Sequence, residues 1–172
     1  LVSVEIIDYR DVKGSYDAVL SIEMIEAVGH EFLKTYFDQC NHLLKPGGRF
    51  ALQVITYPNH KYKRYCKESD FIKKHIFPGG HLPSLEVIDF HVNKHTELKE
   101  IARLNIAESY SKTLGMWKQS FIAEQASIMQ LGFDEVFFRK WVYYFSYCQA
   151  AFELNYIGCY QLHYEKERID DA

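Results

Sequence analysis

Three short segments of this 172-residue chain carry residue types that could do chemistry. They are Asp8-Tyr-Arg-Asp11, Ser21-Ile-Glu-Met-Ile-Glu26 and Gln53-Val-Ile-Thr56. Each ends or follows a run with strand character, and an open parallel sheet gathers its ligands at the carboxyl ends of its strands. Carboxylates, a hydroxyl, a phenol and an amide there could hydrogen-bond a polar ligand or hold a proton. Taken singly, each segment reads equally well as a solvated turn. Their order along the chain, with Leu44-Lys-Pro-Gly-Gly-Arg49 between the second and third, is what gives them weight.

The elements that must position these segments are legible from periodicity. Residues 2–8 alternate like a strand, and Leu1 is not an initiator methionine, so the chain reads as part of a longer domain. Residues 16–22 form an apolar run of the kind covered on both faces of a sheet. From His30 onward, Phe32, Leu33, Tyr36, Phe37, Cys40, Leu43 and Leu44 recur at helical spacing, and Lys45-Pro-Gly-Gly48 stops that helix. A buried strand follows over residues 49–56. Strand, helix, strand with short connections predicts a right-handed parallel crossover and an α/β sheet. Ser84 is a predicted cap for a short helix over residues 85–90, and residues 97–106 read as a strand. Helices are predicted over residues 109–130 and 134–156, the second capped by Asp134, and a last strand over residues 157–164.

Bulk composition narrows the classes. A hydrophobic share of 48% supports a sizeable core, and no repeat or low-complexity linker divides the chain, so it reads as one domain. With 20 basic and 23 acidic residues the net charge is -3, and no basic stripe marks a nucleic-acid partner. Cys40, Cys66, Cys148 and Cys159 lack metal-ligand or disulfide spacing and read as reduced thiols of a cytoplasmic protein, with no metal site expected. No charged-then-apolar leader opens the sequence and no run approaches the roughly 18 apolar residues that span a bilayer. The aromatic share of 16%, with 13 Tyr and 12 Phe, suits either an aromatic core or a cavity for long apolar substrates. Residues 141–152 carry no charge; about 18 Å of such a helix is too short to cross a membrane and is expected to be buried or to line a tunnel. Lys61, Lys63, Arg64, Lys73 and Lys74 read as a solvated basic face, with anionic headgroups as the alternative partner.

In their order the three segments resemble the second half of a class I methyltransferase sheet. Ser21-Ile-Glu-Met-Ile-Glu-Ala-Val-Gly-His-Glu31, Ser69-Asp-Phe-Ile-Lys-Lys-His-Ile-Phe-Pro-Gly-Gly-His-Leu-Pro-Ser84, Tyr110-Ser-Lys-Thr-Leu-Gly-Met-Trp117 and Tyr156-Ile-Gly158 resemble the cyclopropane-fatty-acyl-phospholipid synthase family over almost the whole chain. The resemblance implies the C-terminal part of a Rossmann-like α/β domain with an added helical substrate-binding region, lacking the glycine-rich cofactor turn. It implies transfer of a methyl group from S-adenosylmethionine to the cis double bond of an acyl chain in a membrane phospholipid, the ring closing as a proton is lost to a bound bicarbonate. A cytoplasmic enzyme peripheral to the membrane follows from the same resemblance.

Position by position, Glu26, Tyr110 and the Ile55 amide fall where the family holds bicarbonate, with Gln53 where many members have histidine. Asp8, Tyr9, Arg10 and Ser21 fall on the cofactor side. Trp117, Tyr144, Tyr147, Cys148 and Phe152 are expected around the acyl chain. Gln53 cannot titrate as histidine does, and Ala27 replaces a second common histidine, so a methyltransferase acting on nitrogen or another small acceptor stays open, as does an inactive fragment. In this fold the two missing strands lie between residues 2–8 and 16–22. Their absence bares backbone edges, which implies either a homo-oligomer through about the first 25 residues or displacement of that segment from its place in the family.

Overall fold

A strand persists only where its backbone finds a partner, and four do so here. In the computed structural model, which describes residues 2–168, β1 (Tyr16–Ile22), β2 (Leu44–Thr56), β3 (Leu98–Asn105) and β4 (Gly158–Lys166) form one sheet in the order β1-β2-β4-β3. β1 runs parallel to β2, and β4 runs antiparallel to both β2 and β3. A parallel pair needs a crossover, which α1 (Leu33–Leu43) supplies. Its Leu33, Tyr36, Phe37, Cys40 and Leu43 are all buried, as the helical spacing predicts, whereas Phe32, expected on the same stripe, lies in a 3-10 turn before the helix and is half exposed, and Leu44 already belongs to β2. Lys45-Pro-Gly-Gly48 does stop α1, but the strand already begins at Leu44 and bulges against β1 between Tyr16 and Ala18.

After β2 come α2 (Asn59–Tyr65), α3 (Phe71–His75) and α4 (Leu85–His95). Asp70 caps α3 by accepting from the Lys73 amide at 2.8 Å, and Ser84 caps α4 by accepting from the Val87 amide at 3.3 Å. Beyond β3 lie α5 (Ala107–Ala123), α6 (Gln125–Gln130) and α7 (Glu135–Glu153), the last capped by Asp134, whose carboxylate accepts from the Phe137 amide at 2.7 Å. The single helix expected over residues 109–130 is broken at Glu124 into α5 and α6.

The alternation of β2 decides which side of the sheet each residue serves. Phe50, Leu52 and Val54 face α1 and α4, where they meet Ile88, Val92, Leu162 and Tyr164 in the main core. The intervening Gln53 and Ile55 face the opposite side, where α5 and α7 pack as a hairpin around Leu114, Phe145, Phe152 and Cys159. The candidate site residues Gln53 and Ile55 and the core residues therefore come from the same strand, one position apart. Among the described residues no helix is long and apolar enough to cross a membrane.

Two expectations need correction. Residues 2–8 form no strand, and Val2, Val4 and Ile6 are more than nine-tenths exposed. Among the described residues no ladder is available to them: β1 has β2 as its one neighbour there, and a β-branched run without partners stays extended and unpaired. Nor is β1 covered on both faces. Ser21 is buried against α1, whereas Leu20 and Ile22 on the other face are exposed, because no helix among the described residues packs there.

Ser84 ties two segments together, capping α4 and donating to the Asn59 side chain at 3.1 Å while fully buried. Ser84→Ala is expected to cost about 1–2 kcal/mol of stability through the lost cap and the orphaned partners, measured by urea denaturation.

Candidate active site

β2 outruns β1, and the site grows from that mismatch. Ile22 pairs with Gln53, and the next amide, that of Glu23, donates to the Gln53 carbonyl at 2.9 Å. By alternation the Ile55 amide points the same way, past the end of the β1 ladder. A carboxylate meets it there: the Ile55 N–H donates to Glu26 Oε1 at 2.6 Å. Glu26 reaches this position from a 3-10 turn, Ile25–Ala27, which the fully buried Ile25 anchors in the main core. The chain enters that turn through Glu23, whose φ of 53° lies in the left-handed region that non-glycine residues avoid.

The second carboxylate organises the other side chains. Glu23 Oε1 accepts from Gln53 Nε2 at 2.8 Å and from the Tyr110 hydroxyl. Gln161 Nε2 donates to Gln53 Oε1 at 2.9 Å from the directly opposed position on β4, which fixes the orientation of the Gln53 amide. Tyr110 projects from the first turn of α5, with its ring against Phe152 at 5.0 Å. Sequence reasoning placed Glu26, Ile55, Gln53 and Tyr110 together and missed Glu23 as a participant. Its signal was present, a second carboxylate three residues before Glu26 at a strand end.

Burial sets the protonation of the cluster. Desolvation pushes the Glu26 carboxyl up to about 7, outweighing the Ile55 amide, which favours the ionised form, and Glu23 adds to the rise. Glu26 Oε2 is buried and has no hydrogen-bond partner among the described residues. Burial and the bond to Glu23 raise the Tyr110 phenol well above its ordinary range, so it stays a donor.

Glu23, Glu26, Ile55 and Tyr110 border a cavity of about 680 Å³, walled by Trp117 from α5 and by Tyr144, Tyr147, Cys148 and Phe152 from α7; Gln53 stands behind them, outside its lining. The five residues expected around an acyl chain are thus brought together. Burial pushes the Cys148 thiol up to about 12, making it an apolar wall and not a nucleophile. The opposite wall is Phe77-Pro-Gly-Gly80, a turn closed by the Gly80 amide donating to the Phe77 carbonyl at 2.9 Å. Pro78 precedes Gly79 at φ +83°, the arrangement a type II turn requires. The next residue, His81, donates its backbone N–H to the Glu26 carbonyl at 2.8 Å, so this wall is fastened to the turn bearing the carboxylate.

The residues expected on the cofactor side divide. Tyr9 and Ser21 line a second cavity of about 380 Å³ between β1 and α1, with Tyr36 donating to the Ser21 hydroxyl at 2.7 Å. Asp8 and Arg10 pair with each other at the surface at 2.7 Å; hydrogen bonds from the Arg10 side chain and amide hold the Asp8 carboxyl down to about 2. Of the basic face, Lys61 lies over the Tyr156 ring, Arg64 pairs with Glu68, and Lys73 donates to the Tyr65 carbonyl at 2.9 Å.

The raised Glu26 value carries a stability signature. The folded carboxyl titrates near 7 and the ordinary value is 4.5, so the folded chain binds the proton more tightly between them. Above both values the buried charge costs about 3 kcal/mol, a cost relieved as pH falls through 7 toward 4.5. Glu26→Gln keeps the acceptor for Ile55 without the charge. It is expected to exceed the parent chain in stability by about 1–3 kcal/mol at pH 8 and to lose that advantage near pH 5, as read from urea melts at both pH values. A difference independent of pH would contradict desolvation as the cause.

Comparison with known proteins places the chain by sequence and by fold. A family model described as mycolic acid cyclopropane synthetase matches residues 1–162. The tuberculostearic acid methyltransferase UfaA1 of Mycobacterium tuberculosis is 41% identical over 160 residues, covering 93% of this chain and 38% of its own length. The cyclopropane-fatty-acyl-phospholipid synthase of Escherichia coli is 32% identical over 155 residues, covering 90% of this chain and 39% of its own length. The chain therefore spans about two fifths of the length of these curated relatives. Among solved structures, mycolic acid cyclopropane synthase CmaA1 complexed with SAH and CTAB aligns at a TM-score of 0.82 and 24% identity over 92% of this chain and 58% of that one. The cyclopropane synthase MmaA2 from Mycobacterium tuberculosis aligns at 0.82 and 22% identity over the same shares. Those likenesses give the α/β fold of these enzymes, and with the match over residues 1–162 the chain belongs to the mycolic acid cyclopropane synthetase family.

Proposed function

We propose that this chain forms the acceptor-side part of an S-adenosylmethionine-dependent methyltransferase acting on the cis double bond of an unsaturated phospholipid acyl chain and closing a cyclopropane ring. One observation carries the reading: the end of β1 and the loop after it border both cavities. Ser21, Ile22 and Met24 line the smaller one beside Tyr9, and Glu23 and Glu26 line the larger aromatic one. A methyl donor on the first side and an acyl chain on the second would meet at the end of β1. The relatives' names, a cyclopropane-fatty-acyl-phospholipid synthase and a tuberculostearic acid methyltransferase, support lipid acyl chains as the acceptor class.

The residues fit such a reaction in kind. When bound, S-adenosylmethionine supplies an electrophilic methyl and bicarbonate a proton acceptor. Tyr9 and Ser21 offer an aromatic face and a hydroxyl to one side of the nucleoside donor. The unpartnered Glu26 Oε2 is free to accept from a small oxyanion's own hydroxyl, and the anion would draw donors from the Tyr110 hydroxyl and the Ile55 amide by displacing their present bonds to Glu23 and Glu26. Glu23 and Gln53 hold Tyr110 in place. Gln53 cannot carry a proton, so its part is orientation, and the titrating group of the cluster is Glu26. The aromatic walls exclude water from a carbocation that water would otherwise quench.

In a protein carrying the whole methyltransferase domain, Glu26→Gln is expected to lower ring formation at least about a hundredfold. Cofactor affinity should stay within a few-fold of the parent, because Glu26 lines the acceptor cavity alone. Lipid product analysis with unsaturated phospholipid vesicles and S-adenosylmethionine, beside cofactor calorimetry, reads both quantities. Undiminished ring formation would remove Glu26 from the proton-handling role.

A further inference from the structure

A cluster of potential metal ligands lies behind the active-site wall, apart from the polar groups gathered around Glu26 and Glu23. His30 stands just after Gly29, which turns the chain at φ +86°, four residues beyond Glu26. Tyr62 and Cys66 are one helical turn apart at the end of α2 and so share a face. His81 follows the Phe77-Pro-Gly-Gly80 turn and is buried. A ring nitrogen of His30, Sγ of Cys66 and a ring nitrogen of His81 all lie within 4.8 Å of one another, and among the described residues this is the one such group of three. Between the two imidazoles sits the Tyr62 hydroxyl, 2.8 Å from His30 Nδ1 and 2.7 Å from His81 Nε2.

We infer that His30, Cys66 and His81 form a binding site for a borderline-soft divalent transition metal, zinc above all, with Tyr62 or water completing a tetrahedron. Two imidazole nitrogens and one thiolate are a donor set that selects zinc over magnesium or calcium, which take oxygen ligands. Zinc ligands at about 2.0–2.3 Å from the ion lie about 3.4 Å from one another. The observed spread closes to that by rotation of the exposed Cys66 side chain and a small adjustment of His30 about a buried His81. The Tyr62 hydroxyl sits at the point on which both imidazole nitrogens converge, so the ion takes the place of its two hydrogen bonds and the phenol shifts aside, to become the fourth ligand or give way to water. Binding releases the Cys66 thiol proton, the sulfur becoming the thiolate ligand.

The placement gives the ion a consequence. Its three ligands come from the segment just after the turn bearing Glu26, from the end of α2 and from the segment that forms the wall of the larger cavity. Zinc there cross-links all three and reinforces the single backbone bond from the His81 amide to the Glu26 carbonyl. The site is a clamp on the geometry of the acceptor cavity, and it stands whether or not the methyl-transfer reading does.

The test uses the 172-residue chain with zinc chloride alone, titrated against a chromophoric chelator, and cobalt(II) as a spectroscopic replacement. The result expected is one zinc per chain, a raised thermal midpoint, and a cobalt adduct with intense tetrahedral d–d bands and a thiolate charge-transfer band. Cys66→Ser should abolish the charge-transfer band, and both Cys66→Ser and His30→Ala should weaken zinc at least tenfold. Both positions are exposed, so neither variant endangers folding. Absence of stoichiometric binding would overturn the inference. So would binding that survives both variants, for example at the neighbouring pair His91 and His95 on α4, which His91→Ala would reveal.

Discussion

The Ile55 amide is a backbone donor left over where β1 ends and β2 continues, and the site is arranged around how that donor is satisfied. A buried N–H without an acceptor costs about 1–3 kcal/mol, so some oxygen must come to it. The oxygen is a carboxylate, and that choice has further effects. It brings a titratable group out of water, raises its proton affinity and leaves its second oxygen without a partner. A fold could cap this strand with a carbonyl or a hydroxyl at lower cost. A carboxyl raised toward neutrality by burial is suited to handling a proton or an anion.

The surrounding architecture holds this arrangement in place. Ile25, buried in the main core, fixes the turn on one side, and the His81 amide fixes it on the other. Glu23 adopts a left-handed backbone to let the turn begin, and its carboxylate gathers Gln53 and Tyr110, which β2 and α5 deliver from opposite directions. The α5–α7 hairpin then places an aromatic wall over the polar cluster. Polar groups thus lie at the end of a largely apolar chamber of about 680 Å³.

How much of this could be read in the sequence depended on the range of the interactions. α1 was legible from the spacing of Leu33, Tyr36, Phe37, Cys40 and Leu43, and the caps Ser84 and Asp134 acted within three residues of themselves. Residues 2–8 have the pattern of a strand, yet a strand depends on a neighbour that pattern alone cannot supply. Glu26, Ile55, Gln53 and Tyr110 were found through resemblance to a family; nothing in their own spacing brings them together. Glu23 escaped because its part depends on a backbone angle and on a tyrosine 87 residues away. The grouping of His30, Cys66 and His81 was invisible for the same reason: no ligand spacing along the chain marks it, and only the packing of α2 against two turns does.

A carboxyl desolvated against the Ile55 amide is the centre of the proposed chemistry, and a direct reading of that carboxyl is the sharpest test. Carbon-13 labelling of glutamate side chains, with the Glu26 resonance assigned by its loss in Glu26→Gln, allows its titration to be followed by NMR. The predicted midpoint is near 7, with the Ile55 amide proton shifting in step as its acceptor changes charge. A midpoint at the ordinary 4.5, with an Ile55 amide indifferent to it, would show a solvated carboxylate and contradict a desolvated one.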